Sequence, residues 1–237
     1  MLAPCPAEPC GDVAETAEVK ASAPGGEILL ADGRRARLGG LAVTPDAEQA
    51  LQRLAGQRVG VARLARGPDR WGRSVVDLIA AGGQSVAIDL ILQGLARVRP
   101  EPETRACEGE RMEAEQAARA AGEGVWARAD AILAADDPAA LAEADGRFVL
   151  VEGVVRRVGG ARAKIYLDFG GRDGFSVVVA RKAESLFRRS GVDLLSLRGR
   201  RVLVRGVMDV RFGPRIEIAD PSMIEPLPST APTSRRE

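Results

Sequence analysis

Apolar and polar positions alternate in two separate stretches of the chain, and each stretch predicts a small module built mainly from strands. In the first stretch, "GEILLADGRRARLGGLAV" predicts two short strands around the Asp32-Gly33 turn, because Asp-Gly between apolar runs is a strong hairpin signal. "RVGVARLA" and "SVVDLIAAG" predict two further strands. Apolar residues at helical spacing, bounded by Pro, Ser and Gly, predict helices over residues 46–54, 86–93 and 110–121.

The second stretch predicts five strands and one short helix. The strand candidates are "FVLVEGVVRRVG", "AKIYLDFG", "FSVVVA", "RRVLVRGVMDVR" and "PRIEIADPSMIEPL", and the helix "KAESLFRRSG" separates the third from the fourth. Five strands with a helix between the third and fourth is the element order of an OB-fold, a small Greek-key barrel. We therefore expect a mainly β fold with some α-helix, in which the second module is a small OB-fold barrel.

These patterns divide the chain into five segments. We expect a leader over residues 1–22 that is disordered, a first module over 23–127, a linker over 128–144, a second module over 145–228 and a disordered tail over 229–237. Pro138 interrupts the linker, which is expected to be helical or irregular. The tail is rich in Pro, Ser and Thr, a composition that buries too little apolar surface to fold.

Composition excludes several classes of active site. The chain has 237 residues and no histidine, which removes Ser-His-Asp and Cys-His catalysis and every histidine-based metal site. No apolar run reaches the ~18 residues typical of a membrane-spanning helix. The formal net charge of +1 hides a division: residues 1–144 carry 16 Lys and Arg against 22 Asp and Glu, whereas residues 145–228 carry 16 against 10. This asymmetry suggests that the two modules have different partners.

Three cysteines bear on the cellular compartment. The pair in "CPAEPC" is too isolated for a structural zinc site, which normally has four ligands. A Cys5–Cys10 disulfide is expected in an oxidising compartment, with Cys107 left as a free thiol; three reduced cysteines are the alternative. Met1 is followed neither by a basic region nor by an apolar one, so no signal peptide is visible. A Pro-rich leader with paired cysteines favours a periplasmic or secreted protein, and a cytoplasmic one is the alternative.

Four segments of the first module resemble the staphylococcal nuclease-like family. They are "DGRRARLGGL", "DRWGRSVVDLI", "LILQGLARV" and "EAEQAARAAGEGVWA", and they occur in the family's order over about residues 23–127. The resemblance implies an OB-like five-stranded barrel with three helices. The second module is similar to the small OB-folds that follow such domains in some bacterial secreted proteins.

The resemblance also implies a phosphodiesterase site that this chain retains only in part. Such a site uses carboxylates to hold Ca²⁺, a Glu to activate water and two arginines to stabilise transition-state charge. The arginines correspond to Arg37 and Arg73. The positions of the two metal-binding aspartates are occupied by Gly26 and Ala42, and Asp46 could replace the Glu only from a position shifted by one residue. We therefore expect no metal or other cofactor, and Ca²⁺ only if the site has been rearranged.

The second module carries candidate residues for binding single-stranded nucleic acid. Alternation places Lys164, Tyr166 and Asp168 on the outer face of a strand, opposite Ile165 and Leu167. A basic groove with aromatic platforms binds single strands. The candidates are Arg156, Arg157, Arg162, Lys164, Tyr166 and Arg172. The alternative is that Tyr166 packs on the barrel and the arginines are ordinary surface residues.

Three hypotheses about function follow. The chain is a nuclease-like protein without catalysis that binds nucleic acid or another partner; or it is a metal-dependent phosphodiesterase with a rearranged site; or it is a protein-interaction module that never meets nucleic acid.

Overall fold

The computed structural model describes residues 10–11, 13–171 and 174–228. The chain forms two compact units, Met1–Ala129 and Asp130–Glu237, and the boundary between them falls within the predicted linker. Both units are mainly β with a few helices, as the sequence predicts. Over the described residues, no helix combines the length and the apolar character needed to cross a membrane.

The first unit is built around a closed five-stranded barrel. The strands of the whole unit are β1 (Val13–Ala23), β2 (Glu27–Leu30), β3 (Arg35–Leu38), β4 (Leu41–Val43), β5 (Arg58–Arg63), β6 (Ser74–Ile79) and β7 (Ala96–Val98). The barrel order is β1-β2-β3-β6-β5, in which β3 and β6 are parallel neighbours. The remaining strands, β4 and β7, pair with each other. The resemblance to a five-stranded OB-like barrel is thereby confirmed.

Three helices of the first unit lie where the sequence predicts them. They are α1 (Pro45–Gln52), α2 (Val86–Leu92) and α3 (Glu108–Ala121). Pro45 stands in the first turn of α1, where its missing N–H costs nothing, and the Ser85 side chain caps α2 by accepting a hydrogen bond from the Ile88 N–H. The left-handed Gly122, with φ of 67°, ends α3.

The predicted leader of residues 1–22 is wrong from Val13 onward. β1 pairs with both β2 and β5, so it closes the barrel. The sequence "VAETAEVKASA" hides this strand because Val19 is its only buried residue and the remaining positions are exposed or half-buried. Backbone pairing on both edges therefore holds β1 in place. Its hydrophobic alternation is too weak to predict a strand from the sequence. Residues 1–9 lie outside the described residues.

The described residues of the second unit form eight strands and two short α-helices. The strands are β8 (Leu133–Ala134), β9 (Phe148–Val154), β10 (Arg157–Gly160), β11 (Lys164–Asp168), β12 (Ser176–Ala180), β13 (Arg201–Asp209), β14 (Arg215–Ile218) and β15 (Ile224–Pro226), and the helices are α4 (Pro138–Glu143) and α5 (Glu184–Arg189). The sheet runs β10-β11-β12-β14-β13-β9-β8, with β15 on β13.

The sheet path of the second unit separates two strands that follow each other directly in the chain. β9 and β10 are two halves of one stretch, interrupted only at Val155 and Arg156, yet they stand near opposite ends of the sheet path. The path therefore starts at β10, returns to the same chain segment at β9 and ends at β8. β12 and β14 are parallel, with α5 between β12 and β13. This arrangement agrees with the five strands and intervening helix that the sequence predicts.

Residues 130–144 of the predicted linker are part of the second unit and not a free linker. β8 pairs in parallel with β9, and α4 begins at Pro138 with the Asp137 side chain accepting a hydrogen bond from the Ala140 N–H. Leu141 of α4 is almost fully buried in the unit's core. Ala135 and Ala144 are buried in the same core as Leu141, and Leu133 packs against it.

The disulfide of the described chain joins Cys10 to Cys107, with Cα atoms 5.4 Å apart. The predicted Cys5–Cys10 bond is therefore wrong, as is the expectation that Cys107 is a free thiol; Cys5 itself lies outside the described residues. Disulfide formation depends on the distance and direction of the Cβ atoms, which the fold sets across a sequence separation of 97 residues. The bond ties the segment before β1 to the residue before α3.

Candidate functional site

The arginines predicted from the resemblance converge in one cleft of the first unit. Arg37 lies in β3 and Arg73 immediately precedes β6, and the parallel pairing of these strands brings the two residues to the same end of the barrel. They line a cleft of about 230 Å³, which we call the arginine cleft. Other residues that line it are Gly26, Val43, Trp71 and Glu101.

Asp69 holds both arginines of the cleft. Its Oδ2 accepts hydrogen bonds from Arg73 Nη2 at 2.8 Å and Nε at 3.0 Å, and from Arg37 Nε at 3.3 Å. Its Oδ1 accepts from the backbone N–H groups of Trp71 and Arg73, both at 3.0 Å. Gly72 allows this tight turn because its φ is 75°, a conformation that favours glycine. The "DRWGR" stretch is therefore a turn folded around one carboxylate.

The hydrogen bonds to Asp69 keep it ionised. Burial alone would raise the pKa of the Asp69 carboxyl, but the side-chain and backbone hydrogen bonds from Arg73 and the N–H of Trp71 outweigh burial and lower the pKa to about 2. At neutral pH the negative charge of Asp69 is thus opposed directly to the two guanidinium groups. The positive charge that the cleft can offer a phosphate is smaller than two arginines would suggest.

Glu101 is the second carboxylate of the cleft. It accepts a hydrogen bond from Arg37 Nη1 at 2.9 Å and another from the Gly40 N–H at 3.1 Å. Arg37 is therefore shared between Asp69 and Glu101. The sequence gives no sign of the Glu101 contact, since 64 residues separate it from Arg37. The contact of Asp69 with Arg73 had a weak signal in the four-residue spacing across a turn.

Neither position of the missing metal ligands provides a carboxylate. At Gly26 a side chain would also meet Val43. Gly26 has a φ of 76°, and a Cβ atom built there would lie 2.6 Å from Val43 Cγ2. Ala42 sits in β4, paired with Arg97 of β7. Asp46 is exposed in the first turn of α1 and does not line the cleft, so the structure does not bring it together with Arg37 and Arg73.

A glutamate missed by the sequence analysis lies nearer the cleft. Glu48 accepts a hydrogen bond from the Gly25 N–H at 2.9 Å, and Gly25 lines the cleft beside Gly26. Glu48 is thereby occupied with the backbone of the β1–β2 turn. Within the ranges that the structure describes, no three His, Cys, Asp or Glu side chains come together as a metal site.

A buried ion pair, Arg111 with Asp77, contacts the backbone of the first unit at Gly39. Arg111 of α3 donates from Nη1 to the Gly39 carbonyl at 2.7 Å, and its Nη2 lies 3.6 Å from Asp77 Oδ2. Both side chains are 1% exposed. Burial raises the pKa of Asp77 and lowers that of Arg111, and each partner's charge opposes the shift of the other. Gly39 therefore joins the cleft to the buried core of the unit.

The predicted nucleic-acid residues of the second unit occupy different surroundings. Lys164, Tyr166 and Asp168 face outward from β11 as expected, while Ile165 and Leu167 are buried in the core. Lys164 lies 3.5 Å from Glu217, and Arg157 lies 3.4 Å from Asp168. These two ion pairs neutralise part of the positive charge that the sequence predicts on this face.

The other candidates of the second unit are separated from this face. Arg156 lines a groove of about 370 Å³ together with Phe169 and Arg201. Arg162 lies exposed in the turn between β10 and β11. In the described part of the chain neither Arg156 nor Arg162 has an ion-pair partner. Arg172 lies outside the described residues.

Comparison with known families finds a match within the first unit. The family model of the Staphylococcal nuclease homologue matches residues 42–128. Residues 42–128 are therefore similar to the staphylococcal nuclease family. The matched residues include Asp69, Trp71 and Arg73, whereas Arg37 precedes them. No curated protein matches the chain at a significant level.

Proposed function

We propose that this protein is a nuclease-like binding protein without metal-dependent hydrolysis, and that its ligand is single-stranded nucleic acid. The observation that carries the first part is the contact between Gly26 and Val43. A Cβ at Gly26 would be 2.6 Å from Val43 Cγ2, so a side chain at the position that the resemblance gives to a metal ligand would require Val43 to move. Carboxylate ligands are what Ca²⁺ requires.

The hydrogen bonds of the two arginines support the same conclusion. Transition-state stabilisation needs donors aimed at the charge that develops on the phosphate. The donors of Arg37 are directed at Asp69, Glu101 and a backbone carbonyl, and Arg73 Nε and Nη2 are both directed at Asp69. The carboxylates of the cleft thus bind the guanidinium groups of the protein itself. In a nuclease of this type, carboxylates would bind a metal cation.

Nicking of supercoiled plasmid tests the absence of catalysis. The full chain is incubated with Ca²⁺, Mg²⁺ or Mn²⁺, and the Arg73→Ala variant serves as the control for contaminating nuclease. We expect no metal-dependent nicking above the level of the variant. Nicking by the wild type that Arg73→Ala loses would contradict the proposal.

Such nicking would favour a metal-dependent phosphodiesterase with a rearranged site. The observation in favour of this second candidate is that Glu101 lines the cleft while Glu48 bonds to its edge. A cation held by these two carboxylates would compete for their oxygens with the Gly25 N–H, the Gly40 N–H and Arg37. Glu48→Gln and Glu101→Gln would then each abolish the nicking, whereas Asp46→Asn would leave it unchanged.

Charge and family together support nucleic acid as the ligand. Residues 42–128 are similar to the staphylococcal nuclease family, and residues 145–228 carry 16 Lys and Arg against 10 Asp and Glu. Excess positive charge drives binding of a phosphate backbone by releasing counterions. Binding of a fluorescein-labelled oligonucleotide, followed by anisotropy at low salt, is the direct measurement. If no binding is detected, the protein-interaction hypothesis replaces this one.

The disulfide supports a periplasmic or secreted location. Disulfides persist in oxidising compartments, and Cys10 of this bond is almost fully buried. We expect Cys10 and Cys107 to resist thiol labelling in protein purified from its native compartment. Labelling of Cys107 without prior reduction would instead favour a cytoplasmic protein.

A further inference from the structure

The hairpin between β13 and β14 exposes an aromatic side chain that the nuclease-like domain does not explain. Phe212 is 82% exposed, more than any other large hydrophobic residue of the described chain. A single exposed hydrophobic residue is ordinary on a protein surface. Phe212 differs because charged neighbours fix the hairpin that carries it and because a second aromatic residue lies on the adjoining sheet face.

Asp209 fixes the hairpin. It accepts hydrogen bonds from the Arg211 N–H at 3.0 Å, from Arg211 Nε at 3.1 Å and from Arg215 Nη2 at 2.8 Å. These two arginines hold the pKa of the Asp209 carboxyl well below its usual range. The turn is completed by Gly213, whose N–H donates to the Val210 carbonyl and whose φ is 89°. Phe212 is therefore presented at the tip of a braced turn.

One face of the Phe212 ring is next to a cation. The Arg215 guanidinium lies 5.2 Å from the ring centroid, within the range of a cation–π contact. The exposure of the side chain leaves the remainder of the ring accessible. A planar group can therefore stack on Phe212 without displacing any neighbouring protein group.

Strand register places the hairpin at the end of the outward face that carries Tyr166. Arg215 pairs with Ser176 of β12, Ser176 with Asp168 of β11, and Asp168 with Arg157 of β10, so these residues form one outward row. Tyr166 belongs to the next outward row, between Gly159 and Val178. Phe212 and Tyr166 thus belong to one face of the sheet across β14, β12 and β11, on which Val178, the strand neighbour of Tyr166, is itself buried.

The charges of this surface nearly cancel. Arg157 pairs with Asp168 and Lys164 with Glu217, while Arg211 and Arg215 share Asp209. Counterion release at this surface is consequently small, because each cation already has an anion beside it. Aromatic stacking is then the main attraction that this surface can offer to a nucleic acid.

We infer that Phe212 and Tyr166 form a two-point stacking surface for the bases of a single-stranded nucleic acid, with Arg211 and Arg215 beside the backbone. The inference rests on the proposed nucleic-acid function and specifies where and how the ligand is held. Every base has a π-face, so stacking tolerates any sequence. Unpaired cations elsewhere on the unit, such as Arg156 and Arg162, supply the salt-dependent part of the affinity.

The test is anisotropy of a fluorescein-labelled oligo(dT) of about 15 nucleotides, near the upper site size of one OB-fold. The full chain is titrated at several salt concentrations. We expect Phe212→Ala to weaken binding roughly tenfold, the loss of one stacked base, while the slope of affinity against salt stays unchanged. Tyr166→Ala should behave alike, and Phe212→Trp should restore affinity.

Leu195→Ala is the matched control. Leu195 is 62% exposed in the same unit and lies in the turn Leu194–Leu197, away from the β13–β14 hairpin. Neither substitution removes a buried side chain, and equal melting temperatures would show that both variants are folded. Leu195→Ala should bind as the wild type does.

The outcomes separate the two proposals. If the wild type binds and Phe212→Ala binds equally well, the stacking surface is wrong and the nucleic-acid function stands. If Phe212→Ala lowers the salt slope, the hairpin acts through charge and the stacking mechanism is wrong. If the wild type binds no oligonucleotide, the proposed function fails and the inference fails with it; retention of a protein partner that Phe212→Ala releases would then assign the hairpin to protein docking.

Discussion

Asp69 decides what the arginines of the cleft can do, because it accepts hydrogen bonds from both of them. Its identity as a turn residue was visible in "DRWGR", but its contact with Arg37 was not, since Arg37 lies 32 residues earlier and on another strand. The resemblance names the arginines and says nothing of their present partners. At this scale the sequence predicts the residue types of a site better than it predicts their bonds.

Asp69→Asn should change the pH dependence of stability. The folded-state pKa of Asp69 is about 2, below the ordinary value, so the ionised form stabilises the fold above the ordinary pKa. That stabilisation is lost as pH falls from ~4 toward 2. The variant should be less stable than the wild type at pH 7, and the difference should shrink over this interval. Urea unfolding at stepwise pH measures it; a difference independent of pH would contradict the argument.

Gly26→Ala should destabilise the first unit more than Gly25→Ala. The two glycines have φ values of 76° and 78°, so alanine pays a similar left-handed cost of about 1 kcal/mol at each. Only at Gly26 does the new Cβ meet Val43; at Gly25 no atom lies within 4 Å. The additional cost should be ~1–3 kcal/mol.

A double variant tests whether Val43 is the cause. Adding Val43→Ala to Gly26→Ala should recover part of the additional cost, because it removes the side chain that the new Cβ meets. Thermal melts of the single and double variants give the coupling between the two positions. Equal melting temperatures for Gly25→Ala and Gly26→Ala would show that the cleft can accommodate a side chain and would reopen the metal site.

Helices and hairpins of the first unit were predictable because their signals are local. Ser85 before α2, Gly122 after α3 and the Asp32-Gly33 turn each act within a few residues. β1 was not predictable, because its stability comes from pairing on both edges with β2 and β5 and hardly at all from buried side chains. Pairing between strands that are distant in the chain leaves no hydrophobic periodicity in the sequence of the strand itself.

Reduction of the Cys10–Cys107 bond should loosen the attachment of β1. The bond closes a loop of about 97 residues, and such cross-links typically contribute roughly 2–5 kcal/mol by restricting the unfolded chain. We expect dithiothreitol to lower the melting temperature of the wild type. Cys107→Ser should melt at the lower temperature with or without the reductant, and Cys5→Ser should keep the response of the wild type.

The Cys5→Ser variant separates the observed bond from the one that the sequence suggested. If Cys5→Ser abolished the effect of the reductant, the leader cysteines would be paired after all. Hydrogen exchange of the β1 amides gives a second readout, since reduction should raise exchange in β1 more than in β6, the strand between β3 and β5 in the barrel.

The two units differ in charge more than the whole chain suggests. The sequence predicts an acidic first part and a basic second part, and the structure shows which cations of the second part are already neutralised. Arg157 and Lys164 are paired, whereas Arg156 and Arg162 make no ion pair with any described residue. Paired and unpaired arginines have identical sequence signatures, so their net contribution to a binding surface could be judged only from the fold.

Polyanion binding should therefore follow the second unit. Charge reversal at Arg156, Arg157 and Lys164 together should weaken oligonucleotide binding far more than Arg37→Ala with Arg73→Ala. The first unit carries 16 Lys and Arg against 18 Asp and Glu and so has no excess positive charge, and Asp69 and Glu101 offset its cleft arginines. The measurement is a salt titration of anisotropy, in which the triple variant should also show a shallower slope.

Reversing three arginines of the first unit, Arg53, Arg58 and Arg66, provides the matched control. These side chains are exposed, and the reversal changes the net charge of the chain by the same amount. If this control weakens binding as strongly as the triple variant of the second unit, affinity depends on total charge and no local surface is selected. If the Arg37 and Arg73 variant weakens it most, the arginine cleft holds the ligand. In that case the phosphate competes with Asp69 for the guanidinium groups. Added salt should then release the oligonucleotide at a lower salt concentration than if the arginines of the second unit bound it.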